Sequence, residues 1–302
     1  MVNRVATFAY TNTILESNMR LQSQYSDINT QISSGLKSQD YKGIARDSQY
    51  LLAVESSTDR LMAYNSNSNT VLATVNTMYS TMTELLNVAN SMLTTVTAAL
   101  GGDQVPSAVT AAAAQNALDN VEGFLNLSIA GRYVFAGTDV SRPPVDLTDP
   151  GWTAQTSPSV ANTSYYQGNT ALVDVQISET QTISYGVLAS NPAFEGLLRA
   201  FNLVFNNPGS ATELREASGL IQQAVDDIAN VQSILATKSN TIERQIDKNE
   251  QDKVYLEQLS SSIKEVDIPT ASVQLTEAQT QLEAAYSASV RVLNLSLVNY
   301  LN

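Results

Sequence analysis

Leu214, Ile221, Ile228, Leu235, Ile242, Asn249, Leu256 and Ile263 stand seven residues apart in one register, and all but Asn249 are branched aliphatics. A seven-residue apolar repeat keeps a narrow seam on one side of a helix, so this segment needs partner helices along its whole length. A second seam runs in strict alternation of three and four residues. It passes from Leu51 and Val54 through Thr58, Leu61, Asn65, Ser68, Leu72, Val75, Tyr79, Met82, Leu86 and Ala89 to Leu93, Val96 and Leu100. A helix of about fifty residues is a rod of roughly 75 Å. A compact globule of this length has a diameter of roughly 50 Å. The two seams therefore predict an elongated, mainly α protein.

Composition narrows the function classes. Apolar residues make up 43% of the 302, enough for real cores, and 29 acidic against 16 basic residues give a net charge of −13. So acidic a surface repels phosphate backbones and anionic lipid, which argues against nucleic-acid and membrane partners. There is no histidine and no cysteine. The usual proton-transfer side chain, thiolate nucleophiles, disulfides and thiolate metal sites are all missing, so no catalytic residue, metal or cofactor is expected. Carboxylate neighbours such as Asp226-Asp227 diverge on a helix and read as acidic surface rather than as a hydrolytic pair. Gly101-Gly102 lacks the Gly-Lys-Ser/Thr that a phosphate loop needs. Met1 to Arg20 hold no apolar core of signal-peptide length, so export is not expected to use a cleaved secretory signal.

Along the chain, Ile14, Leu21, Tyr25, Ile28 and Ile32 mark an amphipathic helix, with Asn18 where the stripe calls for another apolar residue. Ser33-Ser34-Gly35 stops it, Lys37–Gly43 connects, and the first rod starts near Ile44. Gly101-Gly102 ends that rod, and Pro106 suits the start of a helix carrying Leu118, Val121, Leu125 and Ile129. From Gly131 the character turns to strand. Tyr133, Val134 and Phe135 lie between glycines, then comes a Pro, Asp and Ser-rich span with Trp152, and then alternating Val173, Val175, Ile177, Ile183 and Tyr185. A short helix with Phe194, Leu197, Phe201 and Val204 on one face stops at Pro208-Gly209, and the second rod runs to about Lys264. After Pro269 a last stripe carries Leu275, Ala278, Leu282, Tyr286, Val290, Leu293, Leu297 and Tyr300. Neither terminal stripe can be buried by its own helix, so the two need each other or other copies of the chain. The expected fold is long antiparallel coiled-coil or helical-bundle rods, with the terminal helices paired and a small β-rich insert in the middle. Three parts are expected: 1–43 with 268–302, 44–130 with 188–267, and 131–187.

Several of these residues resemble a known family. Gly131-Arg132-Tyr133-Val134-Phe135-Ala136-Gly137-Thr138 resembles a signature of bacterial flagellar hook-filament junction proteins, the third hook-associated proteins of the flagellin-like family. Gln281 to Tyr286 and Leu295 to Leu301 resemble the C-terminal segment those proteins share with flagellins, and Ile32-Ser33-Ser34-Gly35-Leu36 resembles the matching N-terminal motif. Ser38-Gln39-Asp40-Tyr41 departs from relatives that carry an Asp-Asp pair there, which bears on the subfamily.

The resemblance implies a structural subunit of the extracellular flagellum, an adaptor between the hook-associated layer and the flagellin filament. Implied partners are other copies of the chain, the first hook-associated protein, flagellin, the flagellar type III export apparatus and an export chaperone. Flagellin itself is the alternative within the family, and a secreted helical stalk bearing a binding module or enzyme is the alternative outside it. The residues expected at the subunit interface are Ile14, Leu21, Tyr25, Ile28, Ile32, Leu275, Leu282, Val290, Leu293, Leu297 and Tyr300.

Smaller features have two readings each. Asn65, Ser68, Asn249 and Lys253 either fix helix register or allow sliding between subunit states on one reading, and are solvated positions in an imperfect seam on the other. Arg132 either contacts a neighbouring subunit, or pairs with a local carboxylate or covers apolar surface with its stem. The sequons at Asn126, Asn162 and Asn294 are chance matches in a chain rich in Asn, Ser and Thr.

Overall fold

The computed structural model describes the backbone of residues 2–101 and 105–301 and the side chains of 12–101 and 105–292. The described chain is mainly α, with two small antiparallel sheets. Helix α1 (Val2–Ser34) is followed by α2 (Ser48–Leu100) and α3 (Ser107–Leu125). Strands β1 (Ser128–Ile129) and β2 (Arg132–Tyr133) form one hairpin, and β3 (Val173–Gln176) and β4 (Thr182–Tyr185) form another. Helices α4 (Pro192–Asn206), α5 (Ala211–Lys264) and α6 (Ile268–Leu301) complete the chain. The sequence placed the first strand-like residues after Gly131. The structure puts one strand before that glycine, because Ala130-Gly131 is itself the hairpin turn.

Cα packing divides the chain into two units, residues 1–59 with 253–302 and residues 60–252. In the larger unit α2 and α5 run antiparallel: Thr83 meets Gln232, Asn76 meets Ser239, and Asn65 meets Glu250 through side-chain hydrogen bonds. The α5 repeat is buried as its spacing predicts from Leu214 to Asn249, with Ala217, Ala224 and Val231 forming a second inward row. The α2 seam differs from the expected one. Leu51 and Val54 are buried as expected, but from Ser68 on the inward row is Ser68, Val71, Val75, Met78, Met82, Leu85, Ala89, Met92 and Val96, with Thr81 buried beside it. Every second position is therefore one residue earlier than expected, and Tyr79 faces solvent. Leu72, Leu86 and Leu93 are still half-buried against the same core, so the apolar stripe is broader than a two-helix seam. A helix touched on more than one side needs that breadth, and α3, α4 and the strand-rich segment contribute to the same buried cluster.

Helix α4 is buried on most faces. Phe194, Leu197, Phe201 and Val204 are enclosed as expected, and so are Leu198, Ala200 and Leu203. Asn191 caps its start by accepting from the Ala193 N–H at 3.0 Å, with Pro192 in the first turn. Among the described residues no helix is long and apolar enough to cross a membrane, and no group of three or more acidic, His or Cys side chains is placed to hold a metal.

Candidate assembly interface

In the smaller unit α1 and α6 pack antiparallel. The inward row of α1 is Ile14, Asn18, Leu21, Tyr25, Ile28 and Ile32, in strict alternation of four and three residues, and each is half-buried. Asn18 fills its gap in the stripe by donating to Ser289 Oγ at 2.8 Å. On α6 the inward row is Ala271, Leu275, Ala278, Leu282, Ala285, Ser289 and Val292, again spaced by four and three. The stripe read from the sequence drifts off this row beyond Leu282. Tyr286 (45% exposed) and Val290 (56%) face away from the α1–α6 seam. On α1, Leu15 (55%) and Met19 (54%) likewise lie outside the seam, one turn apart. The unit thus closes one apolar seam internally and presents further apolar side chains outward. Leu293, Leu297 and Tyr300 belong to α6, but their side chains lie outside the described residues.

The chain leaves α1 through a built elbow. Gly35 takes φ +73° and ends the helix, its N–H bonded to Gln31 O at 2.8 Å. Leu36 then pairs with Glu265, Lys37 N–H donates to Lys264 O at 2.7 Å, and Val266 N–H donates to Gly35 O at 2.9 Å. The Lys37 ammonium donates to the carbonyls of Ser262 and Ile263, where the α5 dipole favours a cation. Lys264 and Tyr41 both contact the Glu55 carboxylate, and hydrogen bonding from Lys264 holds that carboxyl below its usual range. Asp267 caps α6 through Thr270. The Ser-Ser-Gly-Leu segment is thus a mechanical joint between the end of α1 and the end of α5.

The Gly131–Thr138 segment is a second joint. Ala130 (φ +50°) and Gly131 (φ +77°) are both left-handed, the geometry of a two-residue type I′ hairpin turn. Gly137 (φ +73°) lies where a Cβ would come within 3 Å of Asn169 Oδ1, Asn169 O and Ala171 O. Asn169 closes the approach: its N–H donates to Ala136 O, and its side chain bonds the Thr138 N–H and hydroxyl. Phe135 is fully buried, edge-on to Phe194 of α4, and its carbonyl accepts from Ala189 N–H at 2.9 Å. Tyr165, also fully buried, donates its hydroxyl to Ala189 O at 3.0 Å, and burial pushes its pKa far upward. Arg132 is exposed and has no ion-pair partner among the described residues. Its stem lines a cavity of about 290 Å³ between the two hairpins and α2. Of the two local roles expected, it covers apolar surface rather than pairing with a carboxylate.

The span from Asp149 to Ser164, featureless in sequence, is strapped down by helix side chains. Asn202 accepts from Gln155 N–H at 2.8 Å, Asn207 donates to Gln155 O, and Glu195 accepts from Asn162 N–H at 3.0 Å. Glu216 accepts from the N–H and hydroxyl of Ser159. Burial pushes the Glu216 carboxyl upward, but hydrogen bonds from Ser157 and Ser159 and the nearby Arg199 charge outweigh it and hold the pKa low. These anchors were missed from sequence because an Asn or Glu on a helix looks the same whether it faces solvent or a loop. The sequon residues have local roles: Asn126 exchanges two hydrogen bonds with Val145, and the Asn162 amide donates to Gly151 O.

The family model of the bacterial flagellin C-terminal helical region matches residues 219–301. Among solved structures, a protein described as a flagellar hook-associated protein from Vibrio parahaemolyticus superposes with a TM-score of 0.61 at 14% identity, over 75% of this chain and 99% of that one. FlgL of Bacillus cereus gives 0.56 at 17% identity, over 70% and 99%. Flagellar hook-associated protein-3 of Legionella pneumophila gives 0.54 at 11% identity, over 70% and 96%. No curated protein matches the chain. The chain has the fold of these flagellar hook-associated proteins and, over residues 219–301, is similar to the C-terminal helical region of the flagellins.

Proposed function

We propose that this chain is a structural subunit of the bacterial flagellum, the adaptor at the hook-filament junction that joins the hook-associated layer to the flagellin filament. The observation that carries this reading is the fold likeness to hook-associated proteins over nearly their whole length. Its work is mechanical: packed helices transmit load between two structures whose subunits need different contacts. The absence of His and Cys from the sequence leaves little means for catalysis. In the assembled organelle the parts 1–43 with 268–302 form an inner helical layer, 44–130 with 188–267 the rods, and 131–187 an outer module. Partners are further copies of the chain, the first hook-associated protein, flagellin, the export apparatus and an export chaperone. The protein reaches the flagellum by the organelle's own export route.

The interface falls to the terminal stripes, Ile14, Leu21, Tyr25, Ile28 and Ile32 with Leu275, Leu282, Val290, Leu293, Leu297 and Tyr300. The outward Val290 and Tyr286 support this assignment, since a free subunit leaves them without cover. The match to the flagellin C-terminal region gives flagellin as the second reading. A test is Val290→Asp expressed in place of the native protein. Loss of the subunit from assembled flagella, with residues 60–252 still folded by hydrogen exchange, is the expected result. Normal incorporation contradicts the interface assignment.

A further inference from the structure

The α2–α5 seam turns polar at one level, and a third element is hydrogen-bonded to it there. The inward residues there are Asn65 and Ser68 on α2 and Asn249 on α5, with Ile246 half-buried beside them. Asn65 marks the level by donating to Glu250 at 3.4 Å. Within the described residues, Asn65 Oδ1 and Ser68 Oγ are buried without a hydrogen-bond partner. Neither of these two oxygens therefore holds α2 to α5 across the seam.

The buried Asn249 is engaged elsewhere. Its amide donates at 2.9 Å to the carbonyl of Ile177, in the turn that joins β3 to β4, and Gln245 fixes its orientation by donating to Oδ1 at 2.7 Å. The Ile177 side chain is fully enclosed. Its N–H and that of Ser178 both bond Gln181 O, which shapes the turn. Val175 and Ile183, farther back along the hairpin, pack against the main hydrophobic core of the larger unit.

We propose that the tip of the β3–β4 hairpin is a strap that holds the α2–α5 pair shut at this level. Ile177 is the apolar plug, and Asn249 is the positioning residue that ties the strap down. About two turns along, Val71 and Ile242 supply ordinary apolar contacts, so closure there does not need the hairpin. At the Asn65–Asn249 level the plug stands in for the apolar knob that the repeat lacks. An apolar residue at position 249 would close the helices on their own but release the tip. A polar residue is kept there because its bond goes to the strap rather than to the opposite helix. The inference is independent of where in the cell the protein acts.

The absence of native cysteine makes paired spin labels a clean test on the full-length purified chain. Labels at Asn65→Cys with Glu250→Cys read the strapped level, and labels at Asn76→Cys with Ser239→Cys read the level above. Ile177→Ser is expected to broaden and lengthen the 65–250 distance distribution severalfold in width, leaving 76–239 unchanged. Adding Asn249→Leu to Ile177→Ser is expected to restore the narrow 65–250 distribution. Asn249→Leu alone should keep both distances while amide exchange at Ile177 and Ser178 speeds up at least tenfold. An unchanged 65–250 distribution in Ile177→Ser overturns the proposal. So does equal broadening at both levels, which would be general loss of packing, or failure of Asn249→Leu to rescue.

Discussion

Gly131 and Gly137 share a left-handed backbone and a motif, yet they serve different ends, and substitution separates them. Nothing lies within 4 Å of a Cβ built on Gly131, so only its φ of +77° resists a side chain. Gly131→Asn should be nearly neutral, since asparagine tolerates this conformation, and Gly131→Ala should cost about 1 kcal/mol. Gly137→Ala adds a clash with three backbone and side-chain oxygens, and should cost at least ~3 kcal/mol by urea denaturation. Glu216 gives a pH prediction. Its folded pKa is depressed, so its contribution is present above the unfolded value and is lost as pH falls through the lower folded value. Amide protection at Ser159 should therefore be flat from neutrality down to about pH 5 and collapse only below the ordinary glutamate range of about 4.3. Glu216→Gln should weaken it at all pH values and remove the acid step. At this scale the sequence was informative about backbone and poor about partners. Two glycines around Arg-Tyr-Val-Phe-Ala announced turns, but the oxygen cradle of Gly137 comes from Asn169 and Ala171, more than thirty residues away.

For single elements, spacing predicted burial well where a helix meets one neighbour and less well where it meets several. The α5 repeat and the α1 stripe lie inward as their periods require. On α2 the stripe is broad enough to admit two registers, and contacts with α3, α4 and the hairpins select the one that buries Met78, Leu85 and Met92 rather than Tyr79. Small residues misled on α6: Ala271 and Ala285 line the inward row with the expected Ala278, while the larger Tyr286 and Val290 lie outside it. Lys238 continues the inward row of Ala217, Ala224 and Val231 on α5, and burial lowers its pKa. It has no ion-pair partner among the described residues. Its stem packs while its ammonium is half withdrawn from water, so Lys238→Leu should stabilise the larger unit by ~1 kcal/mol, read as a raised urea midpoint at unchanged slope.

For the molecule as a whole, helix order, most boundaries and the central strand-rich insert were legible, because long periodic segments and Gly or Pro stops are local signals. The division into two packed units was not. It falls at Asp59–Arg60 and Asp252–Lys253, inside two unbroken helices where no turn residue marks it. What does mark it is a thinning of burial: Thr58, Leu61 and Leu256 are half-buried, where Val75, Ile221 and Leu235 are enclosed. On the proposed function, the chain acts by where it stands and what it joins. The decisive measurement is gold labelling of intact flagella with an antibody raised against residues 131–187. A single band at the boundary of hook and filament is the predicted result. Label along the whole filament would contradict the junction role and make the chain a filament subunit.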